Sequence, residues 1–228
     1  MTYTSQALRA PWQVGQAYEV YTPQADTHLL AEALEDAAPC TGRDVLDLCT
    51  GTGVLALAAA RRGARVSAVD SSPEAVATAR ANSGLDGPPV QVLRGDLFTP
   101  VKDRRFDLIV SNPPYVPAPD RRPPDRGRAQ AWDAGPDGRA VLDPICAQAP
   151  HMLRPGGALL IVQSALCGTA RTLTQLRCRG LDAAIVRRRQ VPFGPVLRSR
   201  AGWLETRGLI SPGESMEELV IIRAERTR

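Results

Sequence analysis

Asn112-Pro113-Pro114-Tyr115 brings together residue types suited to one task, holding a planar NH2 group still. An amide or exocyclic amine delocalises its nitrogen lone pair, and displacement by that nitrogen needs the pair presented in line. The side-chain oxygen of Asn112 can accept one N–H and the carbonyl of Pro113 the other. Two fixed acceptors orient the nitrogen and favour the positive charge that develops on it. Pro113 and Pro114 stiffen the turn, and the ring of Tyr115 can lie over a planar amide or base. No general base of matched pKa is required, because the proton can leave to water after transfer. An ordinary proline turn has the same composition, so the reading depends on what else surrounds the loop.

Asp47-Leu48-Cys49-Thr50-Gly51-Thr52-Gly53 ends an apolar run and opens a helical pattern. Gly51 and Gly53 tolerate positive φ and let a ligand approach the backbone. Asp70 ends the next apolar run about 20 residues on, where a carboxylate takes ribose hydroxyls. A nicotinamide enzyme shares these two features, but its GxGxxG spacing is absent. Gly95-Asp96-Leu97-Phe98 follows a third run. There Asp96 can accept from an adenine amino group and Leu97 offers an apolar face, although Asp96 alone equally suits a turn cap. Asp47 can bind either the ligand or the backbone of the glycine turn. Three acids after three successive runs, with Asn112 after the fourth, point to S-adenosyl-L-methionine as cofactor and to N-methyl transfer as the reaction.

These loops need a frame. Val45 to Leu48, Arg65 to Val69, Val90 to Leu93, Phe106 to Val110 and Ala158 to Val162 read as buried strands, with Ala183 to Val186 and Leu219 to Ile222 as the last two. Helical patterns alternate with them: Gly53 to Arg62, then a helix opened by Ser71 and Glu74 at capping-box spacing that runs to about Asn82. A third has Val141, Leu142, Ile145, Cys146, Ala149, Met152 and Leu153 on one face, with Asp137 as its cap and Pro155-Gly156-Gly157 as its stop. Leu166 to Cys178 and Ala201 to Arg207 read as further helices. Alternation of this kind predicts an α/β, Rossmann-like seven-stranded sheet, mostly parallel with one antiparallel strand near the end. Ser111 to Pro136 is long and aperiodic, as functional loops often are. The expected organisation is a single domain: an N-terminal segment and helix over 1–42, a cofactor-binding core over 43–190, and an extension with the last strand over 191–228.

Composition narrows the classes. The 228 residues are 43% hydrophobic and 23% charged, as in ordinary globular proteins. No run is long and apolar enough for a membrane span, and Met1 to Pro11 lacks a basic head with an apolar stretch, so no secretory leader is expected. Cys40, Cys49, Cys146, Cys167 and Cys178 show no CxxC pairing and read as reduced thiols in a cytoplasmic protein. With only His28 and His151 to add imidazoles, no metal site is expected. The net charge of +4 is mild and does not by itself imply nucleic acid. Arg121, Arg122, Arg126 and Arg128 can hold phosphates but read better as a solvated loop, as does the run Arg187-Arg188-Arg189 at the end of the sixth strand.

The chain resembles the HemK-type glutamine N5-methyltransferases, which modify the glutamine of a Gly-Gly-Gln motif in translation release factors. The pieces that carry the resemblance are Asp47 to Gly53, Ala68-Val69-Asp70, Gly95 to Phe98 and the Asn112 loop. Tyr21-Thr22-Pro23-Gln24-Ala25-Asp26-Thr27 and Ala131 to Arg139 look like the short archaeal and eukaryotic-type branch. The resemblance implies that Thr27, Asp47, Cys49, Asp70, Asp96 and Leu97 line the cofactor pocket and that Asn112 holds the acceptor amide. Without it, Thr27 reads as a helix cap. It also implies a protein substrate, a release factor foremost, and a small zinc-binding activator subunit. Cys49 departs from the family's usual glycine and Ala134 from another, and Pro192 to Pro212 is a longer tail than the family's. Competing readings are methylation of an adenine or guanine amine in RNA or DNA, methylation of a small molecule, and a non-catalytic binding module.

Overall fold

The computed structural model describes residues 20–37, 40–84, 88–122, 124 and 127–227. The expectations made for Met1 to Pro11 and for Arg126 lie outside these residues. Seven strands form one sheet in the order β3-β2-β1-β4-β5-β7-β6. They are β1 (Asp44–Leu48), β2 (Arg65–Asp70), β3 (Val90–Arg94), β4 (Phe106–Ser111), β5 (Leu153–Ser164), β6 (Leu181–Pro192) and β7 (Met216–Arg226). β1 to β5 pair in parallel, and β7 runs antiparallel between β5 and β6. This is the expected α/β sheet. Its central strands are near-continuous apolar runs, Val45-Leu46 with Leu48, Leu108 to Val110 and Leu159 to Val162, all buried, because helices cover both faces.

The helices are α1 (Ala25–Asp36), α2 (Val54–Arg61), α3 (Pro73–Gly84), α4 (Leu142–Met152), α5 (Thr169–Arg177) and α6 (Pro195–Thr206). α2 is buried from Val54 to Ala60; its small alanines let it sit closely on β1 and β2. α1 packs on β5, β6 and β7. No described helix is long and apolar enough to cross a membrane. β1 has β2 on one side and β4 on the other, so the strand order reverses there. The crevice beyond the carboxyl ends of β1 and β4 is where open α/β sheets bind ligands.

Several local expectations are corrected. Ser72, not Ser71, caps α3: its hydroxyl accepts from Ala75 N at 3.1 Å and donates to Glu74 at 2.7 Å. Asp137 does not cap α4, which begins at Leu142 without a side-chain cap; Asp137 closes a turn by accepting from Arg139 N. Pro155-Gly156-Gly157 is not the stop of α4. The chain turns extended at Leu153, and the Pro-Gly-Gly sits inside β5, where Gly157 passes so close that a Cβ would stand 3.0 Å from Phe106 O. Gly168, at φ 74, separates α5 from the short 3-10 turn before it. Thr27 is not a cap but lies inside α1, with Gln24 at the N-cap position. β6 runs on to Pro192, so Arg187 to Arg189 lie mid-strand. They are paired rather than merely solvated: Arg187 with Asp36, Arg188 with Glu218 and Arg189 with Glu32. Pairs this exposed contribute about 0–1 kcal/mol each. The segment after β6 folds around its own small cluster of Phe193, Leu197, Leu204 and Ile210.

Candidate active site

The first turn of α1 comes up beneath the end of β4. Asp26 is buried there and ties three segments together. Its Oδ2 accepts from Tyr21 OH at 3.2 Å, Asn112 Nδ2 at 3.1 Å and Tyr115 OH at 3.0 Å. Its Oδ1 accepts from the backbone N–H of Thr27 at 2.6 Å and from the Thr27 hydroxyl at 3.3 Å. The Thr27 oxygen accepts from Asn112 Nδ2 at 3.1 Å. A carboxylate can only accept, so the nitrogen of the Asn112 amide must face Asp26. Planarity then turns the Asn112 oxygen to the other side. Burial, reinforced by the Asp26 charge, pushes the phenols of Tyr115 and Tyr21 well up, so both remain donors.

The backbone around this knot is fixed as well. Ser111 donates to Leu48 O at 3.0 Å, joining β4 to β1. The Cys167 thiol donates to Tyr115 O at 2.9 Å. Val116 N donates to Trp132 O at 2.8 Å, and Ala134 N to Val116 O at 3.0 Å. Thus the long aperiodic stretch folds back on itself. Its second half is anchored by Arg139, 2% exposed, which reaches Asp143, Cys167 O, Thr172 and Gln175.

On the other side of the crevice, Asp70 holds the glycine turn. Its Oδ2 accepts from Gly51 N and its Oδ1 from Ser72 N, each at 2.9 Å. Burial pushes this carboxyl up. Asp47, 1% exposed, points into the turn instead: its Oδ2 accepts from the Thr50 hydroxyl at 2.6 Å and from Ala56 N at 3.0 Å, and its Oδ1 is buried without a donor among the described residues. Burial pushes it up to about 7. Cys49 adopts a left-handed φ of 58, the conformation for which a glycine is the ordinary choice. Burial and then the Asp70 charge push its thiol up.

Two cavities meet at Asn112 and Pro114. The smaller, about 100 Å³, is lined by Thr27, Cys49, Gly51, Asp70, Ser71 and Gln130 among others. Gln130 closes over it by donating to Ser71 at 3.2 Å. The larger, about 560 Å³, is lined by Asp26, Pro113, Tyr115, Trp132, Leu197 and Glu217 among others. Asp96 is exposed and Leu97, at a left-handed φ of 43, is half-buried; both stand at the end of β3, outside either lining. Gly53 faces away: a Cβ there would stand 3.1 Å from Ala79 Cβ, so it serves the packing of α2 on α3. Asp26, Tyr21, Gln130 and Glu217 were not singled out by sequence reasoning. Only Asp26 carried a signal, an acid in the first turn of a helix beside Thr27.

The sequence matches the methyltransferase small domain family over residues 22–122. A Methanocaldococcus jannaschii protein named as a protein N5-glutamine methyltransferase is 37% identical over 176 residues, 77% of this chain and 87% of that one. The chain belongs to the glutamine N5-methyltransferase family. It is an S-adenosylmethionine-dependent methyltransferase. The Mycolicibacterium smegmatis release factor glutamine methyltransferase is 45% identical over 150 residues, 60% of this chain. This methyltransferase spans about half the length of that relative, 52%. Among solved structures, that of the Encephalitozoon cuniculi Mtq2-Trm112 complex, described as responsible for methylation of the eRF1 termination factor, matches with a TM-score of 0.63 and 25% identity, covering 91% of this chain and 99% of that one.

The residues present fit the family's cofactor. Nothing stands within 4 Å of a Cβ built on Gly51, so the turn is open to a ligand. The partners of Asp47 and Asp70 are hydroxyl and backbone groups rather than cations. Two desolvated acids beside one turn suit a positively charged ligand.

Proposed function

We propose that this methyltransferase transfers the methyl group of S-adenosyl-L-methionine to the side-chain amide nitrogen of a glutamine in a protein, a translation release factor foremost. The observation that carries this reading is the orientation of Asn112, its nitrogen held by Asp26 and Thr27 and its oxygen without a partner among the described residues, at the junction of the two cavities. Thr27, Cys49, Gly51 and Asp70 hold the cofactor, Asp96 and Leu97 take its adenine end, and Asp47 and Gly53 shape the turn. The cofactor, when bound, supplies a methyl group activated by a sulfonium charge. Asn112 and the carbonyl of Pro113 each accept one N–H of the acceptor amide. Pro114, which lines both cavities, forms the wall between them, and Tyr115 stays fixed on Asp26. The site is preassembled, so its acceptors cost no reorganisation at the moment of transfer.

The names of the relatives support glutamine as the acceptor, and the neighbouring Mtq2-Trm112 complex supports a small activator subunit of the Trm112 kind as partner. Recombinant release factors incubated with the enzyme and cofactor, alone and with such a subunit, and digested for mass spectrometry should carry methyl on one glutamine. Methyl on lysine, on a nucleic-acid base, or nowhere would overturn the reading. Turnover unchanged by the subunit would remove the partner.

A further inference from the structure

The larger cavity holds a second carboxyl that the scheme above leaves idle. Glu217 is the second residue of β7, is 9% exposed, and lines the cavity together with Asn112, Pro113 and Tyr115. The alternation of β7 puts Glu217 and Leu219 on the cavity side, while Glu218 turns away to pair with Arg188. Ser164 hydrogen-bonds the Glu217 carboxylate, but Oε2 is buried with no donor among the described residues. A buried acceptor left unmade is costly, and no described residue offsets that cost. A ligand that brings an N–H to Oε2 would.

Val191, Pro192, Val196 and Leu197, supplied by β6 and the segment after it, give it one apolar wall, and Arg128 lines the same cavity. At about 560 Å³ the cavity lies in the range of whole-ligand sites and has room for chain on either side of a glutamine. The two N–H groups of the target amide are already committed to Asn112 and Pro113. The donor that Glu217 awaits is therefore a different one, and the donors that flank a glutamine in any protein are backbone N–H groups.

We propose that Glu217 is a specificity-determining residue that accepts a backbone N–H of the acceptor chain beside the target glutamine. It selects a peptide over a free amide or a nucleobase. The assignment rests on the glutamine reading given above. The groups that face Glu217 are the Asp26 carboxylate on α1, the phenols of Tyr21 and Tyr115, and the Cys167 thiol. Arg128 lines the same cavity, but among the described residues no cation acts on the Glu217 carboxyl. Burial and then the Asp26 charge push the Glu217 carboxyl up to about 7. The ionised form is the better acceptor, so acceptor binding strengthens as pH rises through that value.

The test is steady-state kinetics on a synthetic peptide spanning the methylated glutamine of the release factor, and on analogues in which either flanking backbone N–H is replaced by an ester oxygen. For wild type, one ester analogue should raise KM about tenfold. Glu217→Leu should raise KM for the parent peptide about tenfold and no longer distinguish that analogue, with kcat changed far less, S-adenosylhomocysteine affinity kept and the melting temperature not lowered. Glu217→Gln, which retains an acceptor of the same shape, should lose the fall in KM between pH 6 and 8 that wild type shows. Should wild type methylate the peptide while both variants match it in KM and in ester discrimination, Glu217 has no such role and the glutamine reading survives. Should wild type leave glutamine unmethylated, the reading beneath falls, and the role of Glu217 with it.

Discussion

At the scale of single residues, Asp26 is the most heavily used side chain of the site, with Tyr21, Thr27, Asn112 and Tyr115 all donating to it. Asn112→Ala should lower kcat about 100-fold, the order seen when one preorganised transition-state hydrogen-bonding group is lost. S-adenosylhomocysteine affinity, read by calorimetry, should change little. Asp26→Ala takes their shared acceptor from Tyr21, Thr27, Asn112 and Tyr115, at a cost of about 1–3 kcal/mol for each buried donor left unpaired. It should therefore lower both the melting temperature and kcat, whereas Asn112→Ala lowers chiefly kcat. The acids Asp47 and Glu217 set a pH dependence. Burial raises each carboxyl to about 7, from ordinary values of 3.8 and 4.5. Between those limits the unfolded chain is ionised and the folded one is not, so each contribution is complete below pH 4 and is lost as pH rises through 7. At about 1.4 kcal/mol per pKa unit, each amounts to about 3–4 kcal/mol. Urea unfolding of the ligand-free protein at pH 5 and pH 8 should show the loss, and Asp47→Asn with Glu217→Gln should flatten it. Cys49→Gly, which relieves a left-handed backbone at φ 58, should be neutral or stabilising by up to about 1 kcal/mol.

At the scale of elements, the site depends on how the loop after β4 is clamped. Gly138, at φ +69, passes under Tyr115 so closely that a Cβ would stand 2.4 Å from Tyr115 O and 2.7 Å from Cys167 Sγ. Gly138→Ala should displace the Asn112 loop and lower kcat at least tenfold, with the glycine turn and the cofactor affinity intact; methyl-transfer rates beside calorimetry would show it. The strands and the loops at their ends were legible in the sequence because buried parallel strands are unbroken apolar runs and their carboxyl ends carry the acids and glycines. Helix caps were less legible. Ser71 and Ser72 are adjacent and chemically identical, and only the backbone path decides that Ser72 caps α3 while Ser71 meets Gln130. β6 read short because Arg187-Arg188-Arg189 looked like its end; cross-strand and helix acids 30 to 157 residues away make the run compatible with a strand. Glu217 was invisible for a related reason. In Met216-Glu217-Glu218-Leu219 the two acids look alike, and only pairing to β6 tells which faces inward.

At the scale of the whole molecule, the two cavities are built from different parts of the chain. The smaller cavity is lined from the β1 and β2 ends and from α1, while the larger is closed by residues of β6, β7 and the segment between them. Arg200 of α6 reaches back to Asp133 at 2.6 Å and Pro117 O at 3.0 Å, which fastens that segment over the Asn112 loop. Arg200→Ala should weaken acceptor binding severalfold without altering S-adenosylhomocysteine affinity, by peptide titration and calorimetry respectively. The place of β7 has a consequence for how the molecule is built. β7 is made after β6 yet sits inside it, so a nascent chain that has emerged through β6 has no neighbour for that strand to join. The rim of β5 stays bare until β7 slots in, and bare rims are where chains stick to one another. The half that forms the smaller cavity can thus ripen early, whereas the half that walls the larger one is sealed only by an insertion late in biogenesis.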